Sequence, residues 1–113
     1  MTIKWVTSDP LVMRGEPFCY GSRVTVRQLL EARRGGADPA QLIREHPELK
    51  PTGIAESYRY AAANRARYGD FFGRDGSLAG PGFSPAAADA AGLPDTLRVP
   101  GVVVDGRARK GAA

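Results

Sequence analysis

Apolar positions keep a regular spacing over the first 68 residues and lose it afterwards. Ile3 to Val6 alternates, with Ile3 and Trp5 on one face and Lys4 and Val6 on the other, which is the period of a short strand. Turn chemistry follows at Ser8-Asp9-Pro10 and at Gly15. A second apolar run, Phe18 to Tyr20, stops at Gly21-Ser22. Together the two runs predict a two-stranded ribbon that needs helices over one face to be stable.

Val26, Leu29, Leu30 and Arg33 recur at helical spacing, and the first three are expected to face a core. Thr25 is the expected N-cap of that helix, Val26 to Arg34, and Gly35-Gly36 its stop; the Arg33-Arg34 pair suits the negative end of the helix dipole. Asp38 caps the next helix, Pro39 takes its first position, and Gln41 stands where a capping box places its polar partner. Leu42 and Ile43 supply its buried face, and Pro47 ends it at His46. Pro47 to Lys50 is a short connection with Leu49 as its buried plug. A third helix is expected from Pro51 to about Tyr68, with Ile54, Tyr58, Ala61, Ala62 and Arg65 along one stripe. Gly53 in its first turn costs up to about 1 kcal/mol relative to Ala.

Past Gly69 the pattern thins to Phe71-Phe72, Leu78 and Phe83 among Gly, Pro and Asp. Pro85 to Ala91 reads as a brief alanine-rich helix ended by Gly92. Leu97 to Val104 has strand composition broken by Pro100-Gly101, Asp105-Gly106 is a turn, and Arg107 to Lys110 a basic end. Nine of the 14 Gly lie in residues 69–113, a stretch with few long aliphatic side chains to offset its ordering entropy. The expected fold is mainly α: the ribbon and a three-helix helix-turn-helix core over residues 1–68, then an irregular Gly/Pro/Ala-rich tail over 69–113. That tail is expected either as a disordered end or as a segment ordered by a partner, with a short strand near 97–104. A folded unit of this size favours help from a dimer partner or a bound protein.

Charge and candidate chemistry narrow the function. Residues 1–68 carry eleven Lys and Arg against seven Asp and Glu, whereas residues 69–113 carry five of each. The positive excess therefore belongs to the helical half, where it can meet a phosphate backbone. Cys19 is the single cysteine and His46 the single histidine, so neither a disulfide nor a His/Cys metal cluster is available within the chain. His46 reads as a cap and Cys19 as a small buried hydrophobe, while Asp9 and Glu16 stand in turns. No phosphate loop or triad order is present, and the expectation is a non-enzyme without cofactor. No apolar run nears the roughly 18 residues needed to cross a bilayer, and a reduced cytoplasm is the expected compartment.

Ser8-Asp9-Pro10, Gly15-Glu16-Pro17, Gly21 to Val26, Leu29-Leu30, Gly36 to Pro39, Leu42-Ile43, Glu45 to Leu49, Ile54 and Tyr60-Ala61 follow one another at the spacing of a small prokaryotic family. Over Ile3 to Arg67 the chain resembles that family, the domain of unknown function 433. The resemblance implies a homeodomain-like helix-turn-helix of antitoxin type, a DNA-binding or toxin-binding module with no cofactor. The function expected from this is a homodimer that binds operator DNA through its helices and a cognate PIN-like toxin through its tail. On the third helix, Thr52, Arg59 and Tyr60 are the candidates for base edges, and Lys50, Arg65 and Arg67 for phosphates. Arg23 is expected to bond backbone carbonyls. In the tail, Phe71, Phe72, Phe83, Val102, Val103 and Val104 are the candidate anchors for a protein partner. The alternative is an adaptor or assembly subunit that retains the helices without binding DNA.

Overall fold

A computed structural model of the chain describes residues 5–11, 13–74 and 76–104. The described residues form a mainly helical fold with four α-helices and one two-stranded antiparallel sheet. β1 (Val6–Thr7) pairs with β2 (Phe18–Cys19), Val6 opposite Cys19 and Thr7 opposite Phe18. The ribbon is thus where the alternation predicts one, although its first strand starts at Val6; Ile3 and Lys4 lie outside the described residues.

α1 (Val26–Arg34) begins at a full capping box, in which the Thr25 hydroxyl accepts the Gln28 amide and the Gln28 side chain accepts the Thr25 amide. α2 (Pro39–Glu45) has half of one: Asp38 accepts the Gln41 amide, but the Gln41 side chain reaches forward to Glu45 instead of back to the cap. His46 is its C-cap, and Leu49 plugs the connection to α3 (Pro51–Ala63) at 2% exposure. α3 ends one turn earlier than its periodicity predicts. Asn64 donates its side-chain amide to the Tyr60 carbonyl and its backbone N–H to Ala61, closing the helix. The turn that follows drives Tyr68 into the core.

α3 is the central element and packs on α1, α2 and both strands. Gly53 decides how close the ribbon comes. A Cβ there would stand 2.6 Å from Cys19 Sγ and 3.3 Å from a Trp5 ring carbon, so the residue that weakens the first turn is what lets the sheet lie against it.

The segment after Gly69 departs most from expectation. Its secondary structure is sparse: short 3-10 turns at Gly69–Phe71 and Asp95–Leu97, and α4 (Pro85–Ala91), capped by Ser84 and stopped by left-handed Gly92. Yet Phe71, Leu78, Phe83, Ala88, Leu93, Leu97 and Val102 are buried in the same cluster as Leu29, Leu42 and Ile54. One core runs across position 68, and these buried residues of the later segment belong to it. Glycine makes the contact possible: a Cβ at Gly80, where φ is +93°, would coincide with the Arg33 carbonyl, and one at Gly82 would meet the Val102 carbonyl. The strand expected near 97–104 does not form. Gly101 (φ +91°) turns the chain back, and pairing reduces to isolated bridges of Val103 with Phe83 and Pro100. Asp105-Gly106 and Arg107 to Lys110 lie outside the described residues.

Arg33 fastens this segment to the helices. It sits on the same stripe of α1 as Val26, Leu29 and Leu30 and is fully buried. Its guanidinium donates to the carbonyls of Gly101 and Leu78 and lies 4.6 Å from the centre of the Tyr58 ring. Tyr58 in turn meets Phe83 edge-on at 6.4 Å.

Candidate nucleic-acid interface

The helix-turn-helix candidate residues on α3 do not share one surface. Because α3 buries Gly53, Ile54, Ala55, Ser57, Tyr58 and Ala61, its outer side narrows to Thr52, Glu56, Arg59 and Ala63. Lys50 is exposed at the N-cap and Thr52, two residues on, is half-buried. Arg59 is exposed but held by the Glu56 carboxylate at 3.1 Å, and Tyr60 is half-buried against the Tyr68 ring. A recognition surface needs side chains free to reach base edges; along this stripe the central cation is already committed to a carboxylate.

Arg65 and Arg67 belong to a different and denser group. Just beyond α3 the chain brings Tyr68, Phe71 and Phe72 beneath four guanidiniums. Arg27 lies 5.3 Å from the Tyr68 ring centre and 5.8 Å from that of Phe71, and Arg34 lies 4.7 Å from Phe71. Arg65 covers Phe72 at 4.7 Å, and Arg67 flanks Tyr68 at 5.9 Å. Glu16 bridges two of them, 3.5 Å from Arg27 and 3.2 Å from Arg67. Its hydrogen bond is the main reason that Arg67 holds its proton more tightly than usual. Glu31 and Asp70 are the other exposed carboxylates on these elements. A guanidinium laid against a ring can offer its outer edge to a phosphate or a base, and here Arg27 and Arg67 share the Glu16 carboxylate while Arg34 donates to the Asp70 carbonyl at 3.4 Å. Arg27 and Arg34 lie seven residues apart on α1, hence on one face about 10 Å apart. That spacing is the signal in the sequence that would have found them; Glu16, isolated in a turn, gives none.

Other candidates resolve structurally. Phe71, Phe83 and Val102 are buried in the chain's own core, so as folded they cannot anchor a partner; Phe72, Val103 and Val104 are half-buried. Arg23 is exposed in the turn before α1, and no carbonyl among the described residues is hydrogen-bonded to it, contrary to the expectation. Asp9 accepts the Leu11 amide at 2.9 Å, a turn role. Cys19 is buried, which pushes its thiol pKa up, an effect the nearby Ser57 and Ser22 hydroxyls only partly offset. An apolar groove of about 530 Å³ runs between α2 and α4, lined by Pro39, Ile43, Phe83, Ala87 and Ala91, with Asp38 and Ser84 as its polar side chains. Among the described residues no group of three or more His, Cys, Asp or Glu is placed to hold a metal ion, and no helix is long and apolar enough to cross a membrane.

Fold and surface together define a small, mainly helical protein with an antiparallel ribbon and an arginine–aromatic face. Residues 6–61 match the family described as protein of unknown function (DUF433), which supports the family the sequence resembles. The match covers the ribbon, α1, α2 and most of α3, and stops short of Arg65, Arg67 and the packed C-terminal segment. No curated protein and no solved structure matches the chain.

Proposed function

We propose that the chain is a non-enzymatic regulator of antitoxin or repressor type that binds operator DNA. The observation that carries this reading is the set of four arginines held on Tyr68, Phe71 and Phe72. In this reading they grip the phosphate backbone, while Lys50 and Thr52, at the start of α3 after the α2 turn, approach the groove. A homodimer would present two such units to half-sites about 34 Å apart. The test is fluorescence anisotropy on a duplex from the chain's own promoter across a salt titration. Up to four phosphate contacts per protomer predict a slope of log K on log salt of as much as about −3.6 for one protomer and about −7.2 for the homodimer, at about −0.9 per contact. No binding at roughly 50 mM salt overturns the proposal.

A second reading, a protein-interaction adaptor, is favoured by the groove between α2 and α4. The same groove replaces the buried tail aromatics as the place where a cognate PIN-like toxin would dock. Ile43→Asp would then abolish co-purification with the neighbouring gene product while leaving DNA binding unchanged; retained co-purification rejects the groove.

A further inference from the structure

Within the arginine–aromatic face, one contact is built like an occupied anion site. Glu16 Oε1 lies 3.5 Å from Arg27 Nε, and Oε2 lies 3.2 Å from Arg67 Nη2, so each carboxylate oxygen faces a different guanidinium. The arginines arrive from separate elements, one on α1 and one beyond the end of α3. Neither depends on Glu16 for its position. Arg27 is laid against Tyr68 and Phe71 and reaches the Arg67 carbonyl at 3.5 Å, and Arg67 flanks Tyr68. The carboxylate itself projects from a turn whose backbone is anchored on the other side, where buried Pro17 accepts the Val26 amide at 2.9 Å. All three side chains are between 35% and 46% exposed, so an incoming anion can reach them. Half-exposed pairs of this kind hold weakly, and guanidiniums take phosphate in the same forked geometry as carboxylate.

We propose that Arg27 and Arg67 form the seat of one backbone phosphate of a nucleic acid, and that Glu16 is an intramolecular competitor for it. The inference rests on the nucleic-acid reading above and adds a regulatory element to it. When DNA arrives, its phosphate takes the two guanidiniums and the Glu16 carboxylate swings out to water. The competitor lowers affinity for any duplex uniformly, because it opposes a backbone contact and not a base contact. A partner that holds the Glu16 turn in place would thereby make the chain release DNA more readily.

The test uses the full chain and a labelled 24-base-pair duplex, with wild type, Glu16→Gln, Arg27→Gln/Arg67→Gln and the triple variant compared across a salt titration. Glu16→Gln is expected to tighten binding several-fold at 100 mM salt. The double arginine variant is expected to weaken it and to flatten the slope of log K on log salt by about 0.9 to 1.8. In the triple variant the gain from Glu16→Gln should vanish, since the seat is gone. Thermal melts within a few degrees of wild type confirm that the variants fold; if the Gln pair does not, Arg27→Lys/Arg67→Lys, which keeps charge but loses the fork, takes its place and should weaken binding relative to wild type. If wild type binds the duplex and Glu16→Gln leaves affinity unchanged or lowers it, the competitor is refuted while the DNA reading stands. If no variant binds at low salt, the DNA reading itself falls. Inorganic phosphate exchanged for chloride at constant ionic strength should compete only weakly, since a free ion lacks the duplex's other contacts; full displacement at concentrations comparable to the duplex would show a free-phosphate site and overturn the assignment to backbone.

Discussion

Tyr58 carries a hydroxyl buried without a hydrogen-bond partner, and burial pushes its pKa up to about 12 even with the Arg33 guanidinium beside its ring. The sign of the consequence follows from linkage. Below pH 10 the phenol is neutral in both folded and unfolded chains and its stability contribution is complete. Between pH 10 and about 12 the unfolded chain ionises while the folded one resists, so stability falls by up to roughly 3 kcal/mol. Tyr58→Phe removes the orphan hydroxyl as well as this dependence. Urea midpoints measured from pH 8 to 12 should fall less steeply for the variant than for wild type; parallel curves would contradict the assignment. Glycine gives a second prediction at this scale. Gly53→Ala gains about 1 kcal/mol of helix propensity, but its Cβ would stand 2.6 Å from Cys19 Sγ, and overpacking costs about 1 to 3 kcal/mol. We expect a lower urea midpoint, and a raised one would show that the ribbon yields. Gly80→Ala has no such freedom, because its Cβ meets the Arg33 backbone at a positive φ, and it should destabilise more.

At the scale of elements, Arg33 ties α1 by hydrogen bonds to Leu78 and Gly101, beside the apolar core the two stretches share. Arg33→Met keeps much of the volume but loses both carbonyl bonds, each worth about 1.5 to 3 kcal/mol when the donor is charged. Hydrogen exchange should accelerate selectively in residues 78–104 while the ribbon and α1 stay protected; uniform acceleration would mean that the segment is no separable unit. Local chemistry made the helix ends readable: Thr25, Asp38 with Pro39, and Ser84 with Gly92 each stand where the structure puts a cap or a stop. Arg33 was readable too, since it completes the Val26, Leu29, Leu30 stripe, but a charge at the end of a helix is ordinarily assigned to the dipole. Glycine content was misleading in the C-terminal segment. Scattered Gly lowers local propensity, yet Gly80 and Gly82 are there because two backbones touch, and nothing local encodes a contact with Arg33 or Val102.

Over the whole molecule, the division of charge was legible while its address was not. The excess of arginine lies before residue 69, as counted, but the rings that organise it, Tyr68, Phe71 and Phe72, straddle that boundary and come together only through the turn after α3. Arg59, alone among the α3 candidates, is tied to a carboxylate on its own helix. Arg59→Ala should therefore weaken DNA binding less than Arg34→Ala in the same anisotropy assay, and the reverse order would return recognition to the α3 stripe. The groove between α2 and α4 involves other residues entirely, so a protein partner and a duplex need not compete for one surface.

The most direct test maps the contact itself: amide chemical shifts of the labelled protein followed while a duplex is titrated in at low salt. The account predicts perturbations concentrated at Arg27, Arg34, Arg65, Arg67 and Tyr68, with lesser ones at Lys50 and Thr52. Perturbations centred on Ile43, Ala87 and Ala91, or none at all, would contradict it.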